Sequence, residues 1–324
     1  MQRVWITGGH GFVGRTLARE LTGRALAVWT VERGPARPDD DDQTLRIPLA
    51  EDGVVARALT DIRPDAIVHL AAQSSGGASF RIPRETLRNN VESTLGLLEA
   101  ILSLPAGERP RLLSVGSCEE YGAPNGDGEL PLTEDQPLRP GNPYAVSKTA
   151  QTLLCQQFRR AHGLDVLAVR SFTHTGPGQS DRFVFGSWAR QIAELERAGG
   201  GVLAVGNLDV SRDVSHVGDV ARAYADLLTV DWPHDVVNLC RGEATALRTV
   251  LDHLCSVALA PVDWQVDPAR LRPGDVPLFV GDPSRLRSMI GWVPSTPVET
   301  ALNELLQWWR ERIGDSPSSP TTSR

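Results

Sequence analysis

Tyr144 and Lys148 stand four residues apart in the stretch Asn-Pro-Tyr-Ala-Val-Ser-Lys, residues 142 to 148. On a helix, positions i and i+4 share a face, so a phenol and an ammonium would lie side by side. Lysine and arginine together number 33, and Lys148 is the only lysine among them. Arginine is a planar, permanently charged fork, whereas lysine is a compact point charge on a flexible stem. A chain that otherwise relies on arginine keeps lysine where a small ammonium is needed. The chemistry open to the pair is proton transfer. A free phenol has a pKa of about 10, and acid/base work near neutrality asks for a fall of roughly three units, about 4 kcal/mol. A close ammonium pulls in that direction. Ser117 ends the apolar run "RLLSVGS", which puts a hydroxyl at a strand's C-terminal edge, where α/β sheets build their clefts.

A second constellation opens the chain. Gly8, Gly11 and Gly14 in "TGGHGFVG" follow an apolar run and precede an amphipathic one. That spacing between strand and helix lets the backbone approach a dinucleotide pyrophosphate, with the helix N-terminus offering N–H groups to its charge. Glu32, at the end of the second apolar run, suits the ribose 2′-hydroxyl of NAD, and the adjacent Arg33 suits the 2′-phosphate of NADP. The acidic residue tips the expectation towards NAD.

The elements that must position these groups follow from the rhythm of the chain. "RVWIT", "ALAVWTV", "AIVHLAA", "RLLSVGS" and "DVLAVRS" alternate with helical patterns near 84–104 and 142–162. Alternating strands and helices predict an α/β fold, a Rossmann-type doubly wound parallel sheet over residues 1–172. Beyond Arg170 come a Gly/Pro loop, helices near 183–198 and 217–229, the strand "VVNL" and a last helix ending "LLQWWRER". This irregular part, 173–313, reads as a smaller mixed α/β substrate domain, with segments near 213–240 returning to the sheet. The tail 314–324 has nothing to bury and reads as disordered.

With 324 residues and 41% hydrophobic content the chain can build a large core. A net charge of −7 and a pI near 5.6 argue against nucleic acid or a membrane surface as partner. No apolar run approaches the roughly 20 residues of a membrane helix, and no signal-like segment opens the chain, so a cytoplasmic location is expected. Cys118, Cys155, Cys240 and Cys255 have no CxxC spacing and read as free thiols, with no metal site expected.

The Gly8/Gly11/Gly14 turn with Ser117, Tyr144 and Lys148 resembles the extended short-chain dehydrogenase/reductase family. "HLAAQSSGGASF", "SCEEYG", "RPGNPYAVSK", "RSFTHTGPGQ", "GNLDVSRDVSHVGDVARAY" and "LRPGDVP" are similar to its branch acting on GDP-hexoses, both 4-keto reductases and 4,6-dehydratases. The resemblance implies NAD(P)H held by Gly8, Gly11, Phe12, Val13, Gly14, Glu32, Arg33, Leu49, Leu70, Ala71, Ala72, Asn90, Tyr144 and Lys148. It implies a GDP-linked hexose near Ser75, Glu119, Thr173, Phe183, Val184, Gln191, Arg212, Arg272 and Asp275. Phe183 and Val184 read equally well as core residues. In catalysis Tyr144 would exchange a proton with the sugar oxygen, Ser117 would hold that oxygen, Lys148 would tune both, and Glu119 would be the base of a dehydratase. Three positions depart from the pattern: Thr173 stands for an asparagine, Pro48 for an aspartate at the adenine, and Ser93 for a glycine. Cys118 and His174 read as structural. A homodimer through the helices near 84–104 and 142–162 is expected; the resemblance implies first NAD(P)H-dependent reduction of the C4 ketone of a GDP-linked 6-deoxy-4-ketohexose, with a GDP-mannose 4,6-dehydratase or another nucleotide-sugar dehydratase or epimerase as alternative and a silent nucleotide sensor as the second.

Overall fold

The computed structural model describes the chain except residues 39, 52, 272–274 and 315–324 and the side chain of Asp127. Arg272 and the tail after Gly314 therefore lie outside the described residues. In chain order the first unit runs β1 (Arg3–Thr7), α1 (Phe12–Gly23), β2 (Ala27–Glu32), β3 (Thr44–Arg46), α2 (Val54–Ile62), β4 (Ala66–His69), α3 (Gly76–Ser79), α4 (Pro83–Leu87), α5 (Ser93–Ser103), β5 (Arg111–Val115), α6 (Pro143–His162) and β6 (Val166–Ser171). There follow β7 (Thr173–Thr175), α7 (Val184–Ala198), β8 (Gly201–Val205), β9 (Ser211–His216), α8 (Val217–Leu227), β10 (Val236–Leu239), β11 (Ala244–Ala246), α9 (Leu247–Ser256), β12 (Val262–Val266), β13 (Leu278–Phe279), α10 (Ser284–Ile290) and α11 (Val298–Gly314).

Seven strands form one sheet in the order β10-β6-β5-β4-β1-β2-β3, every neighbouring pair parallel. The order reverses between β1 and β4, the switch point at which open α/β sheets bind ligands. The strands read as unbroken apolar runs because both faces are covered. On one face α1 and α8 bury Leu17, Leu21, Val220, Tyr224 and Leu227; on the other α2, α5 and α6 bury Leu59, Leu97, Ile101 and Phe158. β10 brings the chain back to the sheet beyond β6. Leu286 of α10 and the nearby Trp292 bury themselves in the same core, a second return that the sequence rhythm did not suggest because α10 has only seven residues. The second unit has its own core around Phe185, Trp188, Leu203, Val214, Leu251 and Leu302.

The helix expected near 84–104 is interrupted. α4 passes into a π-helical turn, Arg88–Glu92, before α5 begins. A π turn shifts the helical register by about one residue, and here it holds Asn90 with no exposed surface. α6 begins and ends on local signals: the Asn142 side chain accepts from Ala145 N at 2.8 Å, Pro143 takes the first position, and Gly163 closes the helix at φ 64°. Among the described residues no helix is long and apolar enough to cross a membrane.

Candidate active site

The first strand delivers the glycine loop to the switch point. A Cβ on Gly14 would lie 2.4 Å from the Gly8 carbonyl oxygen and 2.6 Å from that of Gly9, so loop and helix meet at a distance only glycine permits. Gly11 caps α1 with extended backbone, no side chain bonds the first turn, and that turn carries no acid. Its N–H groups and positive dipole end are left for an anion. These residues fit a dinucleotide pyrophosphate. Around the loop, Val13, Leu49 and Leu70 turn towards apolar cores, and Phe12 stacks on His174 at 5.9 Å. A Cβ on Gly8 would sit 3.1 Å from the Ala71 backbone, which leads into Ala72.

Glu32 accepts from His10 N at 2.7 Å, fastening the glycine loop to the end of β2. Arg33 is exposed and donates to Asn89 Oδ1 at 2.9 Å. Asn90 is buried in the π turn and bonded within the protein. Its Oδ1 accepts from Gln73 N at 2.7 Å, and its Nδ2 donates to Gln73 O at 3.1 Å and Ser147 Oγ at 2.8 Å. Fully buried, with both amide hydrogens bonded, it ties the loop after β4 to α6.

A buried chain of bonds lies beneath this edge. Ala71 N donates to Thr7 Oγ1, Thr7 Oγ1 to His69 Nδ1, His69 Nε2 to Thr94 Oγ1, and Thr94 Oγ1 to Asn90 O, at 3.2, 2.7, 3.0 and 2.8 Å. Burial, reinforced by Lys148, lowers the pKa of His69 from 6.5 to about 3. The unfolded chain takes up a proton below the ordinary value and the folded one does not. Stability from this group is therefore present above pH 6.5 and lost as pH falls towards 3. We expect a loss of about 2 kcal/mol between pH 7 and pH 5, absent in His69→Gln. Urea unfolding at the two pH values checks it, and equal losses in both proteins would refute it.

At the end of β5, Ser117 caps a short 3₁₀ turn, Cys118–Tyr121: its Oγ accepts from Glu119 N at 3.2 Å, and Glu120 reaches back to Ser117 N at 2.9 Å. Glu120 is wholly buried and paired with Arg170 at 3.0 Å. Burial pushes its carboxyl up, against the pull of Arg170. Glu119 points the other way: its Oε2 accepts from Asn142 Nδ2 at 2.7 Å, and a Cβ on Gly76 would lie 2.9 Å from that oxygen. Ser75 caps the helix that begins at Gly76.

Tyr144 is 8% exposed and Lys148 3%, and the Ser117 side chain lies near enough to the Tyr144 phenol to favour its ionised form. The expectation that Lys148 lowers the phenol's pKa is not met by the protein groups alone. Burial first, and the Glu119 carboxylate second, push it above the ordinary phenol value. The ammonium is engaged elsewhere, donating to Val115 O at 2.7 Å and Gln151 Oε1 at 3.0 Å. Burial lowers the pKa of Lys148 from 10.5 to about 8.

The remaining residues named by the motifs belong to the second unit. Thr173 begins β7, which pairs with β9 at Val214. Arg212 on β9 donates to Ser211 O and Val276 O at 2.8 and 2.9 Å and lies over the Phe279 ring; Asp275 is half-buried beside this strand's partner segment. Phe183 caps α7 and is half-buried, Val184 is 38% exposed, and the core position is taken by Phe185. Val184, exposed in the first turn of the helix, is no core residue, whereas Phe183 before it stays half-buried. Gln191 bonds Ser187 and, with Asp181, Ser187, Arg190 and Arg270, lines a cavity of about 240 Å³. Cys118 packs with Phe172, Cys240 and Phe279, and His174 donates from Nδ1 to Phe172 O at 2.9 Å. Among the described residues no group of three His, Cys, Asp or Glu could hold a metal.

A sequence profile for the family described as GDP-mannose 4,6 dehydratase matches residues 5–305. The chain belongs to the GDP-mannose 4,6-dehydratase family. Within and around that family, it is 36% identical over 313 residues to a GDP-6-deoxy-D-mannose reductase of Pseudomonas aeruginosa, covering 96% of this chain and 98% of the relative. It is 26% identical to a GDP-mannose 4,6-dehydratase of Vibrio cholerae, covering 93% and 91%. The structure of RMD from Pseudomonas aeruginosa complexed with NADPH superimposes with a TM-score of 0.82 at 34% identity, covering 96% of this chain and all of that one. The NAD complex of UDP-glucose 4-epimerase from Thermus thermophilus gives 0.82 at 28% identity, covering 95% and 99%. This family fold accounts for the Rossmann-type sheet and the second unit. Several residues escaped the reading of the motifs: Asn142, Gln151, and the Glu120–Arg170 pair. Asn142 carried a signal, an asparagine directly before a helix-starting proline. Gln151 carried a weaker one, lying three residues after Lys148 on the same helix face.

Proposed function

We propose that the protein is an NAD(P)H-dependent reductase of the C4 ketone of a GDP-linked 6-deoxy-4-ketohexose. What supports this is the burial of Tyr144 and Lys148 on one helix, with Ser117 beside the phenol at the end of β5, in a chain so similar to a GDP-6-deoxy-D-mannose reductase. A bound reduced dinucleotide supplies the hydride. Ser117 and Tyr144 hold the ketone oxygen, and Tyr144 gives it a proton. With its pKa pushed up, the phenol is protonated before the reaction begins, which is the form a reduction needs. Arg212 with Thr173, Phe183, Val184 and Gln191 offers the second unit's wall to the nucleotide sugar, arginine being suited to a diphosphate.

The dehydratase reading draws on one observation: Glu119 lies close enough to Tyr144 to raise its pKa, where a base could act on the sugar. Purified protein given the keto sugar and NADPH should consume the cofactor's near-ultraviolet absorbance one for one. Conversion of GDP-mannose with no net cofactor change would overturn the reductase.

The same reading includes a homodimer. Val146 and Leu153, seven residues apart on α6, are 42% and 50% exposed, apolar side chains on one face of the kind that association covers. A lone monomer in sedimentation at micromolar protein would reject it.

A further inference from the structure

Lys148 is the group on which proton transfer leans, and the structure shows how it is held. Its side chain is enclosed between β5 and α6. An ammonium has three N–H donors and no acceptor. One goes to Val115 O at 2.7 Å and a second to Gln151 Oε1 at 3.0 Å, leaving one for a ligand hydroxyl. Gln151 is itself fixed, since its Nε2 donates to Ser114 Oγ at 2.7 Å and reaches Val115 O at 3.5 Å. Gln151 and Ser114 are each 1% exposed, so water cannot take over either bond.

We propose that Gln151 is a positioning residue for this site: its amide oxygen fixes the Lys148 ammonium at the end of β5 without placing a negative charge beside it. The proposal rests on the ketoreductase reading for its catalytic consequence. The titratable groups whose charge acts on the ammonium are Cys155 on its own helix, Glu120 after β5 and His69 at the end of β4; Tyr144 lies one turn before it on the helix. Glu120 is already matched by Arg170, His69 is neutral, and burial keeps the thiol of Cys155 and the phenol of Tyr144 protonated. The amide is thus the adjustable neighbour. A neutral acceptor leaves the lysine able to lose its proton not far above neutrality; a carboxylate in its place would hold that proton to higher pH.

Because Lys148 is the only lysine, protein grown with 13Cε-labelled lysine gives a single side-chain resonance whose shift with pH reports this one group. Gln151→Glu keeps the length and the acceptor, and Ser114 Oγ can turn to donate to it. It should raise the titration midpoint by about one unit or more and carry the alkaline limb of kcat to higher pH by the same amount. Gln151→Leu should lower the midpoint and reduce kcat by about tenfold. An unchanged midpoint in Gln151→Glu, with native circular dichroism, would overturn the proposal even if activity fell, since a purely structural amide changes stability and not the titration of its neighbour. Shifted midpoints in a protein that does not turn over the keto sugar would sink the assigned reaction and leave the role of Gln151 towards Lys148 standing.

Discussion

Tyr144→Phe should lower kcat for keto-sugar reduction by about 10²–10⁴-fold, the range of a lost general acid, with dinucleotide affinity unchanged. The substitution keeps the ring, which packs at 8% exposure, and removes only the hydroxyl beside Ser117. Ser117 stays anchored, because its Oγ still accepts from Glu119 N. With the ring and the serine both in place, the loss reports chemistry rather than folding. Single-turnover measurement of hydride transfer, with NADPH binding followed separately by calorimetry, checks it. An unchanged rate would remove Tyr144 from the reaction, and a loss of cofactor binding would make the ring a structural element.

Arg170→Met should cost about 3–5 kcal/mol of stability, the usual consequence of leaving a buried charge without its partner. Arg170 is 3% exposed and Glu120 has no exposed surface. The guanidinium also donates to Tyr121 Oη at 3.0 Å and Glu134 O at 3.2 Å and lies over the Tyr121 ring. Removing it strands several acceptors at once. The effect extends to function, since Glu120 holds Ser117 N and a displaced Glu120 moves the serine beside Tyr144. Adding Glu120→Gln to Arg170→Met should recover a large part of the loss, because the uncompensated carboxylate is gone. Denaturant midpoints of wild type, single and double variants decide the matter. A single variant as stable as wild type would show that the pair is not the anchor of the 3₁₀ turn.

Much of the site was legible because it is written in short spacings. The turn at Gly8, Gly11 and Gly14 lies within seven residues, and backbone geometry alone explains it. Tyr144 and Lys148 share a helix whose Asn142 cap and Pro143 start are local signals. The alternation of apolar runs with helical patterns was sufficient for a parallel sheet with its ligand edge at the strand ends, because a strand buried on both faces can only read as an apolar run.

What the sequence by itself determined, then, was the sheet, the loop at its switch point and the phenol–ammonium pair on one helix. The tertiary structure alone decided what each of those groups is bonded to. Asn90 turned inward through a π turn that no periodicity announced, and the partner of Glu120 lies fifty residues along the chain. The direction of the Tyr144 pKa came from burial and from Glu119, not from the lysine four residues away. Helices and turns are set by neighbours along the chain, whereas a proton's affinity depends on water excluded and charges gathered from segments far apart in sequence.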